Sequence, residues 1–195
     1  MPKPNIIVVV DTETSGPLRT FRGETPYHNL LEIGAVEVIL GSRPTLGRTF
    51  YAMLKPITDN YDSESMEYTS GKTLSYYEEK GEDPKEAIRR FVEFLLEIVG
   101  ITKRRILFAS DNPEFDVGWI RLYLELFGYN ADEIIHHNPM SIKDLARGLM
   151  RNLRTTLYSL PAKFRVPVLH THNALDDATR NAKIFIKLLE EIAFP

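Results

Sequence analysis

Five consecutive β-branched residues, Ile6 to Val10, run directly into acid at Asp11 and Glu13. A run that short and that branched reads as a strand buried on both faces, in a sheet covered by helices. It therefore points to an α/β chain built around this strand. Asp11 and Glu13 are two residues apart, so in an extended chain both side chains leave the same face. Thr14, Ser15 and Gly16 then break the strand. Two converging carboxylates repel one another. A cation between them removes that cost, and hard oxygen ligands suit Mg²⁺ or Mn²⁺. Taken alone, the pair also fits a solvated strand end, so the rest of the chain must supply further ligands.

A length of 195 residues fits one domain, 1–195, with a substantial core. The 43% hydrophobic and 26% charged content is that of an ordinary globular chain. No apolar run approaches the ~20 residues of a membrane span. The opening MPKPN enters a strand without the shape of a signal peptide. With no cysteine, disulfides and thiolate metal sites are excluded, which fits a reducing, cytoplasmic setting. A net charge of -3 provides no global positive field for nucleic acid, but it suits an enzyme whose metal ions supply local positive charge.

After Gly16, the stretch PLRTFRGETPYHN is too rich in Pro, Gly, Arg and Thr to be regular. A second strand is expected over Leu30 to Leu40 and a third over Gly47 to Pro56, joined as a hairpin by a short loop. Glu32 and Glu37 interrupt the second strand; Glu37 reads as solvated, while Glu32, next to Ile33-Gly34, could support the site but reads first as an edge position. Short helices are expected around Ser63–Tyr68 and Leu74–Lys80. Asp83-Pro84 is a good cap and first-turn pair, and apolar spacing carries that helix to Val99. Lys103-Arg104-Arg105 reads as a solvated turn before a short strand, Ile106 to Ala109. Asn112 then caps a helix opened by Pro113, with Phe115, Trp119, Leu122 and Leu126 as its buried stripe. Asp116, in its first turn, is favoured there by the helix dipole alone. Two further helices are expected over residues 141 to 165, with Pro161 shortening or kinking the second.

The last helix has the most informative spacing. Asn173 can cap it. Counting by threes and fours from Asp176 reaches Arg180, Lys183 and Lys187, a wet face with an i,i+4 ion pair. Counting from Asp177 reaches Asn181, Ile184, Phe185 and Leu188, the apolar face. A carboxylate heading an apolar stripe needs a partner, because unpaired buried charge is costly. A cation is the obvious one. His172 lies just before the helix, where a histidine is ordinarily a loop donor; His170 is equally placed by composition.

Together these pieces form a pattern. VVVDTETSG, DNPEFDVGWI and HNALDDA resemble the three motifs of the DnaQ-like, or DEDD, family of 3′–5′ exonucleases, in its histidine subgroup. LLEIGAVEV and FYAMLKP also resemble the strands after the first motif in the proofreading subunit of bacterial DNA polymerase. The resemblance covers nearly the whole chain. It implies a ribonuclease-H-like α/β fold: a mixed sheet, its first three strands antiparallel, with helices on both faces. It also implies two Mg²⁺ or Mn²⁺ ions ~3.5–4 Å apart. Asp11 would bridge both ions, Glu13 and Asp177 would complete one, and Asp116 would support the other. His172 would be the general base, suited by a proton affinity near working pH.

The implied reaction is hydrolysis from a 3′ end with release of nucleoside 5′-monophosphates. Thr14, Asn112 and Phe115 would lie at the terminal nucleotide of a single-stranded DNA or RNA, although the helical stripe by itself makes Phe115 a core residue. A homodimer or association with a polymerase is expected by analogy only. The main departure is Asp111, which stands where the second motif often has histidine and adds negative charge beside an anionic substrate. That keeps two alternatives open: a binding scaffold of the same fold, and a phosphodiesterase for very short oligonucleotides.

Overall fold

The computed structural model describes residues 5–21, 25–67, 71–167 and 171–193. Five strands make one mixed sheet: β1 (Asn5–Thr14), β4 (Leu30–Leu40), β5 (Thr45–Met53), β6 (Leu107–Ser110) and β7 (Met140–Ser141). Their order across the sheet is β5-β4-β1-β6-β7. β1 and β4 pair antiparallel, as do β4 and β5, whereas β6 runs parallel to both β1 and β7. The first three strands of the sheet are thus antiparallel, and the fold is ribonuclease-H-like. The stretch expected to be irregular contains a small ribbon, β2 (Thr20–Phe21) against β3 (Thr25–Pro26).

The seven helices of the described residues are α1 (Ser63–Glu67), α2 (Leu74–Lys80), α3 (Pro84–Thr102), α4 (Pro113–Leu126), α5 (Ala131–Ile134), α6 (Ile142–Met150) and α7 (Ala174–Ala193). The pleat of β1 sorts them into two layers. Val8 and Val10 point into a core shared with Phe91 and Leu95 of α3 and Trp119 and Tyr123 of α4. Ile7 and Val9 point into a second core, with Ala146 of α6 and Ile184, Phe185 and Leu188 of α7. All five apolar residues of the β1 run are at most 9% exposed, as a strand covered on both faces requires. Among the described residues, no helix is long and apolar enough to cross a membrane.

Several local expectations change. The third strand covers Thr45–Met53 rather than Gly47 to Pro56, so the hairpin loop is shorter. The helix begun by Asp83-Pro84 continues past Val99 to Thr102 and stops where Lys103 turns left-handed, at φ 58°. The first short helix ends at Glu67; Tyr68 lies outside the described residues. Only one of the two helices expected over 141–165 forms. Arg151 ends α6 in a left-handed conformation, turns follow, and Pro161 (ψ 152°) precedes a single 3₁₀ turn, Ala162–Phe164. Proline has no N–H to give a helix interior, so it stands before a turn instead of kinking one.

On α4 the buried face runs through Asp116, Val117, Trp119, Ile120, Tyr123 and Leu124, while Phe115 and Leu122 are only partly buried. Asn112 holds the cap position without a side-chain capping bond. The expected Asp176–Arg180 pair is absent. Asp176 accepts from Thr171 at 2.9 Å, and Arg180 is buried with its guanidinium 4.6 Å from the Tyr158 ring centroid.

Candidate active site

The acidic end of β1 is where the two layers meet. Because side chains alternate along a strand, Asp11 and Glu13 continue the Ile7–Val9 face toward α7, and Thr12 continues the Val8–Val10 face toward α4. Helices α4 and α7, one from each layer, bring their N-termini to that end, and each of the two carries an acid.

On the α7 side the approach is close. Gly34 of β4 lies opposite Asp11, and a Cβ there would stand 2.0 Å from the carbonyl oxygen of Ala174. Only glycine lets the first turn of α7 rest on the strand. Asn173 caps that turn as expected, its Oδ1 accepting from the N–H groups of Leu175 and Asp176 at 3.1 and 3.2 Å. Asp177 is then buried and brought to β1: single carboxylate oxygens of Asp11, Glu13 and Asp177 lie within 4.8 Å of one another. The helix-face count that separated Asp177 from exposed Asp176 agrees with this placement.

On the α4 side the contact is polar. Buried Asp116 accepts a hydrogen bond from the Thr12 hydroxyl at 2.9 Å. It stands outside the Asp11–Glu13–Asp177 group, reaching it from the other face of the strand. Thr14 and the partly buried Phe115 line a cleft of about 200 Å³ together with Thr12, Glu13 and Ser65. Asn112 is exposed at the start of α4. His172 is half-buried in a left-handed conformation, φ 51°, in the segment leading into α7. His170 lies outside the described residues.

The electrostatics are those of a site holding more negative charge than it can ionise alone. Burial, reinforced by Asp116, Glu13, Asp177 and Asp111, pushes the Asp11 carboxyl well up. Burial pushes Glu13 to about 8, with Glu32 and Asp177 adding and Lys72 opposing. Asp116 is raised to about 6, again mainly by burial, and the Thr12 hydroxyl opposes the shift. The three converging oxygen ligands fit a hard divalent cation, which would relieve both the burial and the repulsion. Asp111 is less of an intruder than its sequence position suggests. Burial raises its carboxyl, but Lys143 stands 3.9 Å away, and Arg180 and Arg147 also favour its charge.

Two glutamates of β4 correct the sequence reading. Glu37 is buried rather than solvated, paired with Arg48 at 2.7 Å. Glu32 is no edge residue: it is fully buried, opposite Glu13, and its carboxylate accepts from the Tyr51 and Tyr77 hydroxyls, from Lys72 and from the N–H of Ala174. Gly34 and Thr12 escape the sequence reading as parts of the site, and Glu32, which that reading allows as a support, is not the edge residue it favours. The signal available for Glu32 was an acid two residues before a glycine inside an apolar strand.

The sequence model of the exonuclease family described as RNase T matches residues 8–185. A PolC-type DNA polymerase III of Thermotoga petrophila is 27% identical over 184 residues, 94% of this chain and 12% of that one. The same type of polymerase from Caldanaerobacter subterraneus is 31% identical over 109 residues, 55% of this chain and 7% of that one. The chain thus spans about a tenth of the length of these relatives. Among solved structures, the nuclease domain of 3′hExo, a DEDDh family member bound to rAMP, superposes with a TM-score of 0.65 at 16% identity, covering 96% of this chain and 93% of that one. Escherichia coli Exonuclease I in complex with a dT13 oligonucleotide gives a TM-score of 0.65 at 18% identity, over 96% of this chain and 41% of that one. The chain belongs to the exonuclease family.

Proposed function

We propose that this domain hydrolyses phosphodiesters from the 3′ end of single-stranded nucleic acid and releases nucleoside 5′-monophosphates. The observation that carries the reading is the convergence of Asp11, Glu13 and Asp177 at the end of β1, with Asp116 arriving from the opposite layer. Asp11, Glu13, Asp116 and Asp177 would hold two Mg²⁺ or Mn²⁺ ions. When bound, such ions acidify water and stabilise charge on the attacking and leaving oxygens. His172 accepts the proton of the attacking water, a role suited to imidazole near neutral pH. The products are a 5′-monophosphate and a strand with a new 3′-hydroxyl.

The cleft lined by Thr12, Glu13, Thr14, Ser65 and Phe115 receives the terminal nucleotide beside the carboxylates. Phe115 offers its exposed part to the base, and an aromatic face is tolerant of base identity. Asn112, exposed at the first turn of α4, contributes a polar contact at the same nucleotide. The solved neighbours with rAMP and with dT13 support either sugar as substrate. Similarity to PolC-type DNA polymerase III supports work beside a polymerase.

The test is digestion of 3′- and 5′-labelled single-stranded DNA and RNA with Mg²⁺ or Mn²⁺. Stepwise loss from the 3′ end, absent in His172→Ala, is the expected result. Folded protein that cleaves no polymer but hydrolyses dinucleotides would replace this reading with that of a short-oligonucleotide phosphodiesterase.

A further inference from the structure

Glu32 is fully buried, yet it lies outside the group of carboxylates that converge at the end of β1. A buried carboxylate is costly unless its oxygens are satisfied, and a well-packed apolar residue serves a core at least as well. Four donors from three elements and a loop answer it. Oε1 accepts from the Tyr77 hydroxyl of α2 at 2.9 Å and from Lys72, in the segment between α1 and α2. Oε2 accepts from the Tyr51 hydroxyl of β5 at 3.1 Å and from the N–H of Ala174, the first residue of α7, at 3.2 Å. Tyr51 in turn accepts from the side-chain amide of Asn173 at 3.2 Å. Two successive residues at the start of α7 are therefore fastened to one carboxylate, directly and through a tyrosine.

We propose that Glu32 is a positioning residue. Its carboxylate, held by Lys72, Tyr51 and Tyr77, fixes the first turn of α7 and thereby sets Asp177 against Asp11 and Glu13 for cation binding. Gly34 permits the close approach of α7 to the sheet but does not orient it, because a glycine offers no side-chain contact. Glu32 supplies the orientation. Asp177 lies one turn beyond the tethered Ala174, so a small rotation of that turn moves its oxygens relative to the strand. The proposal rests on Asp177 acting as a cation ligand.

The test compares Glu32→Gln and Tyr51→Phe with the wild type and with Glu37→Gln, which alters the other buried glutamate of β4. Mn²⁺ affinity is measured by calorimetry at a temperature where circular dichroism shows every variant folded. Outer residues that orient metal ligands typically contribute ~10–100-fold to affinity or activity. Glu32→Gln is expected to bind Mn²⁺ ~10–100-fold more weakly, to lose kcat on an oligonucleotide with little change in KM, and to shift the Ala174 amide resonance. Tyr51→Phe is expected to change all three in the same direction by less, and it carries the test if Glu32→Gln does not fold. Glu37→Gln should leave Mn²⁺ affinity alone.

Wild-type affinity in folded Glu32→Gln, or an equal loss in Glu37→Gln, would overturn the proposal, as would wild-type protein that binds no Mn²⁺. Wild-type protein that binds Mn²⁺ but digests no polymer would overturn the nuclease reading only. The positioning role would still be read in Mn²⁺ affinity and the Ala174 resonance.

Discussion

Two helix N-termini, those of α4 and α7, deliver an acid to the same end of β1 by different means. The α7 turn rests on the backbone of β4 where Gly34 leaves no side chain, and Glu32 fastens it. The α4 turn hooks Asp116 onto the Thr12 hydroxyl. The two routes follow from the pleat: odd-numbered β1 residues face α7 and even-numbered ones face α4. Asp177 can therefore join Asp11 and Glu13 directly, while Asp116 reaches them from the other side of the strand. A site assembled this way depends on steric fit on one side and on hydrogen bonding to Asp116 on the other, and the two sides should fail differently.

The largest effect should come from Gly34→Ala. The new methyl would stand 2.0 Å from a backbone oxygen of α7, and neither the strand nor the helix can yield without losing its own hydrogen bonds. Overpacking of this kind should cost ~3 kcal/mol or more in a denaturant titration, and Mn²⁺ binding should be lost with it. Next is Asp177→Asn, which keeps the shape of the turn and removes a ligand charge. It should abolish digestion with little loss of stability, whereas Asp176→Asn should leave digestion intact. The reverse pattern would show that the helix face has been misassigned.

The pH dependence separates electrostatics from fit. Glu13, pushed to about 8, and Asp116, raised to about 6, hold their protons more tightly folded than unfolded. Without metal, the stability this contributes is full below the ordinary carboxylate range and is lost as pH rises toward 8. Thermal denaturation without metal should thus give a melting temperature that falls from about pH 4.5 to about pH 8. Saturating Mn²⁺ should flatten that slope, since it binds the ionised form.

Thr12→Val tests the α4 side alone. Loss of a hydrogen bond to a buried carboxylate should cost ~1–3 kcal/mol. Activity should fall less than in Asp177→Asn, because Asp116 stays in place but is less firmly held. The smallest effect should come from Glu37→Gln. Arg48 is 44% exposed, so solvent screens the pair, and about 1 kcal/mol of stability with unchanged activity is expected.

The contrast between Glu32 and Glu37 also shows how far the sequence could be read. Both interrupt an apolar strand, and an acid in that position ordinarily faces water. The glycine two residues after Glu32 is a local hint, but it does not reveal the two tyrosines, the lysine and the amide, drawn from residues 51, 72, 77 and 174, that meet the carboxylate. Asp177 was legible because helical periodicity is local: three- and four-residue spacing alone placed it at the head of Ile184, Phe185 and Leu188. The same local logic failed over residues 151–165, where turn chemistry replaced the expected helix.

By itself the sequence determined the central buried strand and its acidic end, the caps of α3 and α7, and the acid of α7 that faces inward. These depend on alternation, helical period and capping, all carried by neighbouring residues. Only the tertiary structure decided which layer meets Asp11 and which meets Thr12, why position 34 is glycine, and what a buried Glu32 is for. Those answers depend on strand register and on the distance between a helix and a sheet, which are set by partners far apart in the chain.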